Sequence, residues 1–159
     1  EKMKLQHMGY LFWGPVGTGK SYLAACIANA LLEQEVTVKM TNFNTILNDL
    51  FAAEDKTEYI RLLNGYELLI IDDLDVERSS EYALENIFSV IDWRYQSGRP
   101  LIITTNLPLV QLKRETKIEK KRIYDRILER CIPVKIDGVS RREAMANDNM
   151  QTMKNILKI

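Results

Sequence analysis

The residues best equipped for chemistry lie in Gly14-Pro15-Val16-Gly17-Thr18-Gly19-Lys20-Ser21, which satisfies the pattern Gly-x-x-x-x-Gly-Lys-[Ser/Thr] at every specified position. Glycines at these places let successive backbone N–H groups turn inward around an anion, and a following helix adds the positive end of its dipole. Lys20 can then reach the β and γ oxygens of a nucleoside triphosphate, while the Ser21 hydroxyl suits magnesium. Gly14 to Ser21, with Tyr22 beside them, form the expected nucleotide segment. A glycine-rich turn before a helix would account for the same residues with no ligand. The flanks argue for the ligand, since Tyr10 to Trp13 is a short apolar run and Tyr22 to Leu32 is helical in composition.

A second constellation follows Lys20 by 52 positions, where the apolar run Leu68-Leu69-Ile70-Ile71 ends in Asp72-Asp73. It resembles a Walker B element. In phosphoryl-transfer sites one such acid helps hold magnesium and its neighbour can accept a proton from attacking water. Asp72 is the expected metal partner, with Ser21, and Asp73 the expected base. Acidic turns after buried strands are common, so the phosphate loop is what gives this pair its weight.

These groups need a scaffold that delivers them to one edge. Four further segments read as strands: Val36 to Met40, Leu68 to Ile71, Leu101 to Thr105 and Ile132 to Ile136. Each is separated from the next by room for a crossover helix, the alternation of a parallel sheet covered on both faces. Asn44 to Ala53 carries Ile46, Leu47, Leu50 and Phe51 at helical spacing. Glu81 to Gln96 places Leu84, Ile87, Phe88, Ile91 and Tyr95 on one stripe, with Ser79 or Ser80 as cap and Gly98 as stop. Lys113 to Arg130 reads as helix with a solvated, doubly charged surface.

The 159 residues suit one domain, 1–159, with Lys plus Arg balancing Asp plus Glu at 22 each, so no global field recruits nucleic acid or an acidic membrane. Cys26 and Cys131 form no metal or redox pair and read as small buried residues of a reducing compartment. With no apolar stretch of membrane-spanning length, the expected setting is the cytoplasm. The chain has no initiator Met and starts 13 positions before Gly14, so it reads as the C-terminal part of a longer protein.

Pro100-Leu101-Ile102-Ile103-Thr104-Thr105-Asn106 supplies a strand ending in polar groups. Together, Gly14 to Ser21, Ile71-Asp72-Asp73 and Thr104-Thr105-Asn106 resemble the AAA+ ATPases, and within them the clade of DnaC- and DnaI-type replicative helicase loaders and IstB-type transposition ATPases. The resemblance runs from Tyr10 to about Arg142 and implies an AAA+ P-loop NTPase core. That core has a five-stranded parallel sheet with helices on both faces and a small or absent helical lid.

The resemblance implies ATP or ADP with Mg2+ as cofactors, and Asn106 as the sensor 1 residue that orients water; an asparagine before Leu-Pro is also simply a good turn residue. Arg126 falls where loaders place an arginine that reaches the neighbouring subunit's nucleotide, with Arg122 as the alternative and surface pairing with Glu119 or Asp125 as the plain explanation. Sensor 2 falls on Arg142, adjacent to Arg141. Phe51, Ser80 and Tyr82 match positions that contact single-stranded DNA in relatives, while Phe51 also continues an apolar stripe. Implied partners are a hexameric replicative helicase, single-stranded DNA and nucleotide-dependent copies of the chain, with no membrane. Two departures stand out: many AAA+ proteins carry Glu where this chain has Asp73, and Asp75 stands where many relatives have Gly. The implied function is loading of the replicative helicase by a slow Mg-ATP-dependent ATPase. An IstB-type transposition ATPase, or a switch operated by ATP occupancy with negligible hydrolysis, shares these motifs.

Overall fold

A computed structural model describes residues 9–74, 80–138, 140 and 150. Five strands, β1 (Gly9–Trp13), β2 (Val38–Asn42), β3 (Leu68–Asp72), β4 (Leu101–Thr105) and β5 (Cys131–Lys135), form one parallel sheet in the order β2-β3-β4-β1-β5. Among the described residues six helices connect them: α1 (Lys20–Leu32), α2 (Phe43–Ala52), α3 (Lys56–Leu63), α4 (Glu81–Ser97), α5 (Leu109–Arg114) and α6 (Ile118–Arg130).

Both faces of the central strands are covered, which is why β3 is apolar up to Ile71 and β4 up to Ile103 instead of alternating. Leu69, Ile71, Leu101 and Ile103 face a core built with α2 to α6, whereas Leu68, Ile70 and Ile102 face Ala24 and Ala28 of α1. Among the described residues the two layers are therefore unequal, five helices against one. The buried line of α1 is Lys20, Ala24 and Ala28, at steps of four. Cys26 lies about 200° around the helix from Ala24 and is exposed, contrary to the expectation of burial. Cys131 is buried as expected, and burial pushes its thiol up to about 12.

Local signals moved several boundaries. After α1, Glu35 adopts a left-handed turn (φ 61°) and the Val36 N–H returns to the Leu31 carbonyl, so Val36 closes the helix and β2 begins at Val38. Strand β5 runs one residue earlier than expected. The helix expected over 113–130 is two, parted where Glu115 Oε1 accepts the N–H groups of Thr116 and Lys117. Helix α3 was not anticipated. Asp55 caps it by accepting the Thr57 and Glu58 N–H groups, and Ile60 and Leu63 anchor it. By contrast α4 starts at its Ser80 cap and stops at Gly98 (φ 66°) as expected.

The α4 stripe conceals one charge that periodicity does not reveal. Arg94 is 1% exposed. Its guanidinium donates to the carbonyls of Asn64, Tyr66, Glu67 and Pro100 at 2.6–3.2 Å, tying α4 to the segments that enter β3 and β4. Burial lowers its pKa to about 10, with Arg99 nearby adding a smaller push, so it stays charged at neutral pH. Carbonyl dipoles, not a carboxylate, compensate it. Removing the guanidinium strands these carbonyls at roughly 1–3 kcal/mol for each that water cannot reach. Arg94→Met, which keeps the stem volume, is expected to lower unfolding stability by at least about 3 kcal/mol in urea titrations. Arg94→Lys, a point charge lacking the planar fork, should recover only part of it.

Candidate nucleotide-binding and hydrolysis site

The phosphate loop leaves β1 at Trp13 and enters α1 at Lys20, so it lies at the carboxyl edge of the sheet. Gly14 (φ 147°) is held against the chain after β5: a Cβ there would stand 2.2 Å from the Ile136 carbonyl oxygen, so no side chain fits. Gly19 (φ 94°) is the N-cap of α1 and is different, because a Cβ there would meet nothing within 4 Å. Its bare Cα borders open space at a helix start that no side chain caps, the arrangement that admits phosphate oxygens. Thr18 Oγ1 donates to the Pro15 carbonyl at 3.0 Å and steadies the loop. The buried Lys20 ammonium donates to the carbonyls of Gly14 (2.9 Å) and Pro15 (2.6 Å).

A cleft of about 570 Å3 opens beside the loop, lined by Val16, Gly17, Gly19, Lys20, Ser21 and Tyr22 on one side and Asp72, Asp73, Thr104 and Asn106 on the other. Its volume lies in the range of ligand pockets, roughly 300–1,000 Å3. The sequence motifs separated by up to 92 positions (Gly14 to Asn106) thus meet in one place. Tyr22 is 66% exposed and Val16 59%, both at the cleft rim. Ser21 and Asp72 present a hydroxyl and a carboxylate to the same space, the hard oxygen donors magnesium prefers.

One residue organises the opposite wall. The Thr104 hydroxyl donates to Asp72 Oδ1 at 2.6 Å and accepts the Asp73 N–H at 2.8 Å. Asp73 sits in the left-handed region (φ 54°), a conformation that a short acid tolerates. Beyond it, the Leu74 N–H donates to the Thr104 carbonyl (2.8 Å) and Thr105 Oγ1 donates to the Leu74 carbonyl (2.9 Å). These bonds extend the β3–β4 pairing past the ladder. Asn106 Nδ2 donates to Asp73 Oδ1 at 3.0 Å, so the expected sensor and the expected base are in direct contact. The sequence reading assigned no role to Thr104 or Thr105; the available signal was two hydroxyls, each 1% exposed here, closing an otherwise aliphatic strand.

Arg126 stands elsewhere. It lines a small pocket with Gly9 and Leu101, the first residues of β1 and β4, whereas the phosphate loop follows the last residue of β1. Four strand steps separate the two, roughly 13 Å along the sheet, so Arg126 cannot serve its own loop. Its Nε pairs with Asp92 Oδ1 at 3.0 Å, not with Glu119 or Asp125, and its guanidinium lies 4.2 Å over the Tyr95 ring. Arg122 covers Phe88 at 4.0 Å beside Glu81, Glu85 and Glu119. Those acids surround it with negative charge. Arg141, Arg142, Asp75 and Ser79 lie outside the described residues, as does any lid built from the C-terminal segment. Ser140 is described and touches the loop: a Cβ on Gly17 would come within 2.2 Å of its Oγ.

Phe51 is 81% exposed, because the buried line of α2 is Phe43, Ile46 and Leu50 and position 51 lies about 100° further round. The core alternative for this residue therefore does not hold. Ser80 Oγ accepts the Ala83 N–H as the α4 cap. Tyr82 is 45% exposed, and Lys56, whose role sequence reasoning missed, donates to its hydroxyl at 2.8 Å and lies 4.8 Å from its ring centre. No helix among the described residues is long and apolar enough to cross a membrane.

Comparison with known proteins agrees with this geometry. The chain is 29% identical over 123 residues to the replicative helicase loader DnaC of Escherichia coli, covering 74% of this chain and 49% of that protein. It is 34% identical over 107 residues to an insertion sequence ATP-binding protein of Sinorhizobium fredii, covering 65% of this chain and 36% of that protein. The chain thus spans half or less of the length of these relatives. The crystal structure of the DnaC helicase loader superposes with a TM-score of 0.72 at 24% identity, covering 84% of this chain and 81% of that one, and so shares the AAA+ fold. The model of the IstB-like ATP binding proteins matches residues 7–148, the span that holds the loop, both acids, the sensor strand and Arg126, and the chain belongs to that family.

Proposed function

We propose that this chain is the Mg-ATP-dependent ATPase domain of a DNA replication protein that loads a hexameric replicative helicase. The observation that carries the hydrolytic part is the Asn106–Asp73 contact inside the cleft that also holds Lys20, Ser21 and Asp72. Magnesium, when bound, would offset the charge that develops on the phosphates. Ser21 and Asp72 are the residues to hold it. Thr104 fixes Asp72 by occupying Oδ1, which leaves Oδ2 for the metal shell. Asn106 likewise occupies Asp73 Oδ1 and leaves the second oxygen to take a proton from water. Lys20 supplies the loop's cationic side chain. Gly14 to Tyr22 surround the phosphates, and Arg142 is the proposed sensor 2 contact.

No carboxylate-to-water step needs a second chain, but charge stabilisation at the γ-phosphate does. Arg126 lies too far from its own loop, and we assign it to the site of a neighbouring copy, so that an isolated domain is a poor ATPase. Exposed Phe51 and Tyr82, with Ser80 at the α4 cap, form the proposed contact with single-stranded DNA, where aromatic rings stack on any base. The helicase partner rests on what DnaC is named for. The insertion-sequence relative favours a second reading, an IstB-type transposition ATPase with the same chemistry. Co-purification of the full-length protein with a hexameric helicase, or instead with a transposase, separates the two.

Lys20→Ala is expected to weaken ATP binding at least about tenfold with the fold retained; unchanged affinity in titration calorimetry would remove the nucleotide site. Asp73→Asn should keep Mg-ATP bound while single-turnover hydrolysis drops about 10²-fold or more. Parent-like turnover would reassign the base, and negligible hydrolysis by the parent itself, with and without DNA, would favour the occupancy switch. Arg126→Ala should bind ATP normally yet lose any rise in specific activity with protein concentration. Mixed with Lys20→Ala it should regain activity, because some interfaces then join an intact loop to an intact arginine. If co-assembled mixtures stay inactive, Arg122 becomes the next candidate.

A further inference from the structure

Resting on the assignment of Arg126 to a neighbour's nucleotide, we propose that Asp92, with the Tyr95 ring, is a positioning residue that holds Arg126 ready for that neighbour. The geometry of the attachment carries this. Asp92 engages Arg126 side-on, through Nε alone. A bidentate pair would consume at least one terminal nitrogen as well; this one leaves four of the five N–H donors for another acceptor. The guanidinium also lies over the Tyr95 ring, its Cζ 4.2 Å from the ring centre. An arginine so held has already lost the rotamer freedom that docking on a phosphate would otherwise cost.

The supports are themselves fixed. Asp92 Oδ2 accepts from Gln96 Nε2 at 2.6 Å, and the Tyr95 hydroxyl donates to Glu129 Oε1 at 2.6 Å. Asp92 is the more enclosed partner, with 18% of its side chain exposed against 38% for Arg126. The carboxylate is thus part of the α4–α6 contact while the guanidinium reaches outward from it. Arg122, the competing candidate, has an aromatic beneath it but no carboxylate within ion-pair distance among the described residues. A plain interhelical ion pair would also bring Asp92 and Arg126 together, and the two explanations differ in what happens in trans.

In the full-length protein, Asp92→Asn keeps the shape and removes the charge that orients Nε. It should bind ATP as tightly as the parent, while its assembly-stimulated hydrolysis falls about tenfold to a hundredfold, the cost typical of a misplaced catalytic group. The defect should reside in what the chain offers its neighbour. Mixing Asp92→Asn with Lys20→Ala, which has a dead loop and a well-placed arginine, should restore activity. Mixing it with Arg126→Ala should not, because neither chain then offers a working arginine. Asp92→Glu should recover part of the loss. Parent-like activity of Asp92→Asn, or equal recovery in both mixtures, overturns the proposal. If Asp92→Asn fails to fold, Tyr95→Leu is the second probe and should show the same pattern of rescue, with rescue by neither partner or by both counting against the proposal. Arg126→Ala in the same assay keeps the failures apart: if it hydrolyses normally the trans assignment itself is wrong, and if it is inactive while Asp92→Asn is normal only the positioning role is lost.

Discussion

The Thr104 hydroxyl bridges the two acids at the tip of β3, giving its proton to one carboxylate and accepting the backbone N–H of the other. A hydroxyl can do both at once through a single atom, whereas a second carboxylate at that point could not without leaving one contact repulsive. Because the acceptor is a backbone N–H, the bond fixes the main chain at Asp73 as well as the side chain of Asp72. The left-handed turn at Asp73 then returns Leu74 to the core, where it is 1% exposed and bonded to β4. Everything facing the loop across the cleft follows from that registration of two strand tips.

The strands act as a ruler between unlike chemistries. At their carboxyl edge lie the loop, the two acids and Asn106; at the other end Arg94 binds four carbonyls and Arg126 rests on Tyr95. The two arginines are treated in opposite ways. Arg94 is wholly desolvated and satisfied by dipoles, so it is committed to holding the chain together. Arg126 is attached through a single nitrogen at the surface, which leaves most of its donors uncommitted.

The loop, the acids and the strand ending at Asn106 were readable because their chemistry is written in short local patterns, and β3 and β4 because aliphatic runs bounded by turn residues have few other fates. The helical layer was less legible. Periodicity placed Phe51 on the α2 stripe, yet an apolar stripe broad enough to include it exceeds what the sheet can cover, so the residue emerges into solvent. It also had no means of distinguishing Arg94 from a solvated helix position, since its partners are carbonyls whose arrangement exists only after β3 and β4 pair. Helix α3 is too short and too polar to announce itself. The break at 115–117 depends on one glutamate turning back on its own backbone.

Placing the loop and Arg126 at opposite ends of one sheet makes the protomer polar. Two such chains can complete sites reciprocally, antiparallel about a twofold axis, or head to tail through different surfaces, a contact that repeats from copy to copy. In an open row of this kind, one terminal copy always lacks a donor for its nucleotide and the other always carries an unused arginine. The ratio of competent sites to chains then grows with the length of the row and reaches unity only if the row closes on itself, so length could govern output without any change at the level of a single subunit.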